Sequence, residues 1–128
     1  FKYDGVLIDA PCSSTGVIRR NPDILRRKNH NLDHLTYLQH KLLINGIELL
    51  KKGGFLVYCT CSLEKEEGEH QIERIIDERQ DITLKKIDKK DIRIFQEFIH
   101  PKGYLRILPD TIADGGNDGF FISILQKK

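Results

Sequence analysis

Two short apolar runs, Gly5-Val6-Leu7-Ile8-Asp9-Ala10 and Phe55-Leu56-Val57-Tyr58-Cys59, decide the fold class of this chain. Each run is continuous rather than alternating, which is typical of a strand buried on both faces of a parallel sheet. Between them the sequence has a helical period, and its apolar stripe consists of Leu35, Leu38, Leu42 and Leu49, flanked by Leu43, Ile47 and Leu50. Strand, helix and strand make a βαβ unit with parallel strands and a right-handed crossover, so the predicted class is α/β.

The ends of the first helix are marked by cap and stop signals. Asn31 can accept a hydrogen bond from a free backbone amide at the helix start, and Lys51-Lys52-Gly53-Gly54 is a stop signal. A second helix is predicted over Glu66–Arg79, with inward-facing isoleucines at Ile72, Ile75 and Ile76. Three carboxylates near its start complement the helix dipole, and we interpret them as structural: Glu66, Glu67 and Glu69.

The rest of the chain has weaker signals. The remaining predicted elements are a strand at Ile82–Ile87, a helical segment at Asp91–His100 and strands at Tyr104–Leu108 and Phe120–Leu125.

Composition restricts the class of protein. The chain has 128 residues, 39% of them apolar and 31% charged, which suits one domain with a modest core. No apolar stretch approaches the roughly 20 residues of a membrane-spanning helix, so no membrane partner is expected. Three cysteines cannot all pair within one chain, which favours a reducing, cytoplasmic setting.

Basic residues cluster early in the chain, at Arg19-Arg20 and Arg26-Arg27-Lys28. A net charge of +2 is too small to establish a nucleic-acid partner. Arg19 and Arg20 could contact phosphate groups, or they could brace their own loop by pairing with Asp23. The sequence leaves both interpretations open.

Cysteines lie at the ends of both predicted strands. The first strand leads into Asp9-Ala10-Pro11-Cys12-Ser13, and the second into Cys59-Thr60-Cys61-Ser62. Ligands bind beyond the carboxyl ends of strands in open α/β sheets, and parallel strands bring these ends to one edge. Two thiols and a carboxylate are therefore expected together.

Four interpretations can be considered for two thiols and a carboxylate at one sheet edge. A redox centre usually has a Cys-x-x-Cys motif, which is missing from this sequence. A structural zinc site needs four Cys or His ligands, whereas Cys12, Cys59 and Cys61 supply three thiols with no His nearby in sequence. Inert buried thiols are the simplest interpretation and suit Cys59. The remaining one is covalent catalysis on a pyrimidine. A thiolate added to carbon 6 of cytosine makes carbon 5 nucleophilic towards a methyl donor, while a second polar group aids release and an acid binds the ring nitrogens.

The motifs at these tips resemble those of a known family. The stretch Asp9-Ala10-Pro11-Cys12-Ser13-Ser14-Thr15-Gly16-Val17-Ile18-Arg19-Arg20-Asn21-Pro22-Asp23 resembles a signature of the NOL1/NOP2/Sun RNA cytosine-C5 methyltransferases. Tyr58-Cys59-Thr60-Cys61-Ser62-Leu63 is similar to the family's second signature, and Asp118-Gly119-Phe120-Phe121 to its closing strand. Val17-Ile18-Arg19-Arg20 points to the bacterial ribosomal-RNA branch, the Sun proteins.

The resemblance implies roles for individual residues. Cys61 would be the nucleophile and Cys12 the residue that assists product release. Asp9 would lie in the pocket for S-adenosylmethionine and the target base, and Pro11, Arg19 and Arg20 would join it in binding RNA. DNA cytosine methyltransferases use a Pro-Cys cysteine as nucleophile, which would make Cys12 the attacker, but Thr60-Cys61-Ser62 favours the RNA arrangement.

The resemblance also implies a partial Rossmann-like fold: the second half of the sheet, with parallel strands and a C-terminal antiparallel strand. The sequence departs from the family pattern at Cys59, more often Ser or Ala, and at Gly68, commonly Asn, where the helix start could be looser. A Gly-rich cofactor turn is missing, and the chain starts at Phe1 without any Met. We therefore expect residues 1–128 to be the C-terminal half of a catalytic domain.

Three expectations follow for such a half domain. Alone it should bind S-adenosylmethionine weakly or not at all, and it should be inactive. It should expose an edge of the strand Gly5–Ala10, through which it could self-associate. The alternative is a truncated, non-catalytic RNA-binding or interaction module.

Overall fold

Among the residues that the structure describes, five strands and two α-helices make up the fold. The computed structural model describes residues 1–27, 31–109 and 115–128. In chain order the elements are β1 (Tyr3–Asp9), α1 (Leu32–Glu48), β2 (Leu50–Thr60), α2 (Glu69–Glu78), β3 (Ile82–Lys85), β4 (Leu105–Ile107) and β5 (Phe120–Lys127). The sheet order is β1-β2-β5-β3, and β4 also pairs with β5. β1 and β2 are parallel, whereas β5 is antiparallel to all its neighbours, which confirms the predicted βαβ unit and α/β class.

The connection between α1 and β2 is shorter than predicted. The Asn31 side chain accepts a 3.1 Å hydrogen bond from the His34 amide, which confirms the predicted cap. The predicted stop signal at residues 51–54, however, lies inside β2, which begins at Leu50. Gly53 adopts φ +78°, and the pairing with β1 changes register between Tyr3 and Gly5. Glycine tolerates this left-handed conformation, so the segment forms a bulge instead of a loop.

The buried face of α1 differs from the predicted leucine stripe. Leu38 and Leu49 are exposed. Leu43 and Ile47, which are predicted to flank that stripe, are buried, together with Gln39, His40 and Gly46. Leucine periodicity gave the wrong face because the inward position of Gln39 is stabilised by hydrogen bonds, which hydropathy does not register.

Burial on both faces, as predicted for β1, is wrong for this structure. Ile8 is buried, but its neighbour Leu7 is 70% exposed. Both helices contact the same face of the sheet as Ile8, and α1 packs on β1 and β2 there. On the opposite face, a second cluster around Ile87, Leu105 and Ile107 lies against β5 and leaves Leu7 uncovered.

The later elements are partly as predicted. α2 begins at Glu69, after a single helical turn at Lys65–Glu67, and buries Ile72 and Ile75. The predicted helix at Asp91–His100 is wrong, because only the turn Gln96–Phe98 is helical there. The apolar side chains that suggested a helix pack from an irregular segment onto the second cluster: Ile92, Phe95, Phe98 and Ile99.

Candidate active site at the carboxyl ends of β1 and β2

The loop that leaves β1 follows the end of β2 closely. The amide of Ala10 donates to the carbonyl of Cys59 over 2.9 Å, and the amide of Gly16 donates to the carbonyl of Cys61 over 2.8 Å. As a result the sulfurs of Cys12 and Cys61 lie 3.5 Å apart, although 49 positions separate them in sequence. The expected meeting of two thiols at one sheet edge is therefore present.

Gly16 is the point at which three segments of the site meet. Besides its bond to Cys61, its carbonyl accepts a 2.7 Å hydrogen bond from the amide of Gly119, just before β5. A β-carbon at Gly16 would lie 2.3 Å from the Gly119 carbonyl oxygen and 2.6 Å from that of Cys61. Glycine is needed here because only a residue without a side chain permits this approach.

Glu67 is a functional candidate that sequence reasoning interpreted only as a helix-dipole charge. Its side chain is fully buried beneath the two tips. One carboxylate oxygen accepts from the Ser13 amide (2.8 Å) and from Gln39 Nε2 (3.1 Å). The other accepts from the Ser13 hydroxyl (2.6 Å) and the Ser62 hydroxyl. The serines that follow Cys12 and Cys61 were the available signal, because buried hydroxyls require an acceptor.

The thiols in the site differ in their surroundings. Burial raises the pKa of Cys12 to about 11, and the neighbouring Cys61 adds to the effect. Burial also raises the pKa of Cys59 to about 11, with a further contribution from the Asp9 carboxylate. Cys12 and Cys59 are therefore neutral thiols at pH 7. Cys59 is only partly buried, and its sulfur lies 3.8 Å from Asp9 Oδ1.

Asp9 and Pro11 lie at the rim of the site, and both side chains are exposed. The Pro11 carbonyl accepts a 2.8 Å hydrogen bond from Gln39 Nε2, which ties the loop to α1. The exposed Asp9 carboxylate extends the edge that carries the thiols.

Arg19 and Arg20 do not pair with Asp23 as considered from the sequence. Arg20 binds the Asp118 carboxylate at 2.6 Å, and Arg19 approaches it at 3.9 Å while donating to the Gly115 carbonyl. The loop is therefore braced against the segment before β5. The two arginine side chains are still 46% and 60% exposed. Arg26 and Arg27 are exposed too, and Lys28 lies outside the described residues.

Arg106 of β4 supports the tip that carries Cys61. Its guanidinium donates to the Ser62 carbonyl and, through Nε, to Glu69 at 2.7 Å. It also lies 5.0 Å from the centre of the Phe121 ring. A β-carbon at Gly68 would come within 2.8 Å of both Arg106 and Phe121. The side chains of these two residues therefore occupy the space that the more common Asn of the family would need.

The residues around the site also bear on metal and cofactor binding. Within residues 1–27, 31–109 and 115–128, no group of three or more His, Cys, Asp or Glu side chains is placed to hold a metal ion. The helices in these ranges are too short or too polar to cross a membrane. The exposed Asp9 lies at the end of β1, the edge at which open α/β sheets bind ligands, and a Gly-rich strand-to-helix turn is not found among the described residues.

Comparisons with known proteins support the family resemblance of the sequence motifs. The chain matches the family described as 16S rRNA methyltransferase RsmB/F over residues 1–126. It is 38% identical, over 99% of its length, to the probable ribosomal RNA small subunit methyltransferase B of Bacillus subtilis. It is 36% identical, again over 99% of its length, to the ribosomal RNA small subunit methyltransferase B of Proteus mirabilis. It spans 28% and 26% of those two relatives, about a quarter of each.

Two solved structures share the fold. A methyltransferase homologue from Pyrococcus horikoshii aligns with a TM-score of 0.74 at 33% identity, over 99% of this chain and 40% of that one. NSun6 from the same organism, determined with SFG, aligns with a TM-score of 0.78 at 30% identity, over 99% and 30% of the two chains. The fold is thus part of a Rossmann-like methyltransferase. The chain belongs to the RsmB/F family of the NOL1/NOP2/Sun methyltransferases.

Proposed function

We propose that this chain is the C-terminal half of the catalytic domain of an RNA cytosine-C5 methyltransferase that acts on small-subunit ribosomal RNA. The observation that carries the proposal is the 3.5 Å separation of the Cys12 and Cys61 sulfurs at the end of β1 and β2. Membership of the RsmB/F family and the ribosomal-RNA names of the relatives support the choice of substrate. We expect the reaction in the cytoplasm, where thiols stay reduced.

Cys61 is the proposed nucleophile. Once its thiol has lost a proton, the sulfur adds to carbon 6 of the cytosine, and the electron pair of the ring double bond moves towards carbon 5. Carbon 5 would take the electrophilic methyl group of bound S-adenosylmethionine, whose sulfur–methyl bond would break and leave S-adenosylhomocysteine. The proton on carbon 5 is then lost to a base, and the bond between carbon 6 and sulfur breaks. This restores the aromatic ring and the Cys61 thiolate.

Cys12 is proposed to assist at both ends of this cycle. Because burial holds its pKa at about 11, it is a neutral thiol at pH 7 and can donate S–H to the neighbouring sulfur. A donor at this distance stabilises the Cys61 thiolate before attack and again as it leaves the ring. Loss of that donor slows the release step, which depends on a good leaving group.

Four further residues are proposed to bind RNA. The Asp9 carboxyl lies exposed at the end of β1, beside the thiols, where it can bind the nitrogen edge of a flipped base. Pro11 forms the rim beside it. Arg19 and Arg20 are half-exposed cations on the next turn of the loop, suited to backbone phosphates.

The test uses the longer enzyme that contains this chain, a ribosomal RNA fragment and S-adenosylmethionine. Cys61→Ala is expected to abolish methylation. Cys12→Ala is expected to accumulate a covalent protein–RNA adduct that survives denaturing electrophoresis. Cys59→Ala is the matched control, because its sulfur faces Asp9 and not the thiol pair, and it should keep activity without adduct. Activity in Cys61→Ala, or release without adduct in Cys12→Ala, would contradict the mechanism.

The isolated chain provides a second test. With only one side of a cofactor site in its described residues, it is expected to bind S-adenosylmethionine weakly or not at all in calorimetry. Micromolar affinity would contradict the half-domain proposal. An in-frame sequence encoding a Gly-rich motif upstream of the Phe1 codon favours the enzyme, whereas an upstream stop codon favours a non-catalytic RNA-binding or interaction module.

A further inference from the structure

The buried carboxylate of Glu67 joins the two cysteine tips. Ser13 follows Cys12 directly in sequence, and Ser62 follows Cys61 directly. Both serine hydroxyls donate to the same carboxylate oxygen of Glu67, and the Ser13 amide donates to the other oxygen. The loop after β1 and the end of β2 therefore share one acceptor, at one residue's distance from each thiol.

Glu67 is itself fixed by hydrogen bonds from α1 and β2. Gln39 Nε2 donates to its carboxylate over 3.1 Å, and the Tyr58 hydroxyl donates to its main-chain carbonyl over 2.7 Å. Gln39 is fixed in turn by the Pro11 carbonyl and by Gln71 Nε2, at 2.8 and 3.3 Å. Glu67 is thus tied to α1 through its carboxylate and to β2 through its main-chain carbonyl, and it is linked indirectly to α2 through the Gln39–Gln71 bond.

The hydrogen bonds around Ser62 fix the direction of its hydroxyl group. Its one hydrogen is directed to Glu67, so it acts as acceptor towards the Glu64 amide at 3.0 Å and the Thr15 hydroxyl at 3.4 Å. Thr15 Oγ1 accepts from the Leu63 amide at 2.8 Å, and that bond uses a lone pair and leaves the hydroxyl hydrogen for donation to Ser62. The whole chain of donors ends on Glu67, which is the group that accepts without donating.

We propose that Glu67 is a positioning residue that fixes the distance between the Cys12 and Cys61 thiols. Its importance for catalysis rests on the proposed function, but the geometric role does not. A buried carboxylate is costly unless its donors are supplied, and here four donors converge on it. An apolar residue could fill the same volume, but it would leave both serine hydroxyls free to turn away and the two tips without a common anchor.

The test measures how readily a short bifunctional reagent links the Cys12 and Cys61 thiols to each other. Dibromobimane alkylates one cysteine and then closes onto a second only when the sulfurs are a few ångströms apart, and the bridged product is fluorescent. The experiment uses this chain in a Cys59→Ala background, so that only the studied pair can be bridged. The measured quantity is the rate of the closing step divided by the rate of the first alkylation. This ratio corrects for any change that a substitution causes in the general reactivity of the thiols.

Two variants give graded expectations. Glu67→Ala should lower the ratio of closing to first alkylation by about tenfold or more, because small displacements greatly reduce intramolecular rates. Glu67→Gln should lower it less. Its amide oxygen can still accept from the Ser13 amide and Gln39. Its NH2 group, however, faces Ser62, whose hydroxyl already accepts twice and then has no acceptor for its own hydrogen.

Ile75→Val is the matched control for stability, because Ile75 is fully buried on α2 and belongs to the apolar core. Its thermal midpoint should fall while the bridging ratio stays at the starting value. If Glu67→Ala does not fold, Glu67→Gln decides: a folded variant with an unchanged ratio overturns the proposal. If the ratio falls but the Cys12→Ala enzyme gives no RNA adduct, the positioning role stands and the proposed function fails.

Discussion

The main chain of Gly16 lies directly against that of Gly119, with a 2.7 Å hydrogen bond from the Gly119 amide to the Gly16 carbonyl. This contact joins the loop after β1 to the start of β5, and it lies beside the carbonyl of Cys61, which binds the Gly16 amide. The position of the site therefore depends on two glycines from distant parts of the sequence.

Gly16→Ala is expected to destabilise the fold. Its β-carbon would lie 2.3 Å from a backbone oxygen, so the loop must move, at a cost of about 1–3 kcal/mol for an overpacked site. Urea unfolding of the chain measures this change. Gly5→Ala in β1 is the control, because a β-carbon there meets its nearest neighbour at 3.9 Å. Equal stability of the two variants would contradict the close-packed loop.

The reactivity of Cys12 should depend steeply on pH. Burial raises its pKa to about 11. At pH 8 its thiolate fraction is then about a hundredfold below that of a thiol with a pKa near 9, and it rises about tenfold per pH unit up to pH 10. Iodoacetamide labelling followed by peptide mass spectrometry measures this. The urea-unfolded chain is the reference, and its rate should start to level off near its pKa of about 9 and be flat above about pH 10. The same bend near pH 9 in the folded chain would refute the shift.

The same shift affects stability. The folded state holds the Cys12 proton more tightly than the unfolded state, so the contribution of this group is complete below the unfolded pKa. It is lost as the pH rises through about 11. Thermal midpoints measured from pH 8 to pH 11 should fall less in Cys12→Ser than in the starting chain. Parallel curves would count against a raised pKa.

Arg20→Ala is expected to weaken RNA binding by the longer enzyme and to reduce its salt dependence by about one phosphate contact. Asp118→Asn is the comparison variant, because it removes the carboxylate that Arg20 binds at 2.6 Å and leaves the Arg20 cation in place. If Arg20 contacts phosphate, Asp118→Asn retains affinity. Fluorescence anisotropy with a ribosomal RNA oligonucleotide at several salt concentrations distinguishes the two. Equal losses in both variants would assign Arg20 to bracing alone.

The isolated chain is expected to self-associate through the edge at β1, which pairs with β2. Leu7→Lys puts a charge on this strand, where the side chain is 70% exposed, and should shift sedimentation towards the monomer. Leu25→Lys is the matched control, because Leu25 is 73% exposed outside the sheet. A concentration-independent monomer in the starting chain would rule out this association.

Sequence patterns predicted the parts of the fold that hydrophobicity governs. The two apolar runs and the helix between them gave the βαβ unit, and this unit brought Cys12 and Cys61 to one edge. The resemblance of the motifs gave the family. The face of α1 was wrong because Gln39 is inside, where hydrogen bonds rather than apolar contacts hold it. The acids at the start of α2 look alike in sequence, and only packing distinguishes the buried Glu67 from the exposed Glu66.

The place of β5 in the sheet has a consequence for how the protein is made. β5 pairs with β2 on one side and with β3 and β4 on the other, yet it is the last of these strands to be synthesised. On the ribosome, the nascent chain can form the local contacts of β1, α1 and β2 first. Among the strands of the described residues, β3 and β4 pair with β5, so their pairing waits until residues 120–127 have emerged. We therefore expect closing of the sheet to be a late step that depends on long-range contacts, so that the edge of β2 that binds β5 stays unpaired during much of translation.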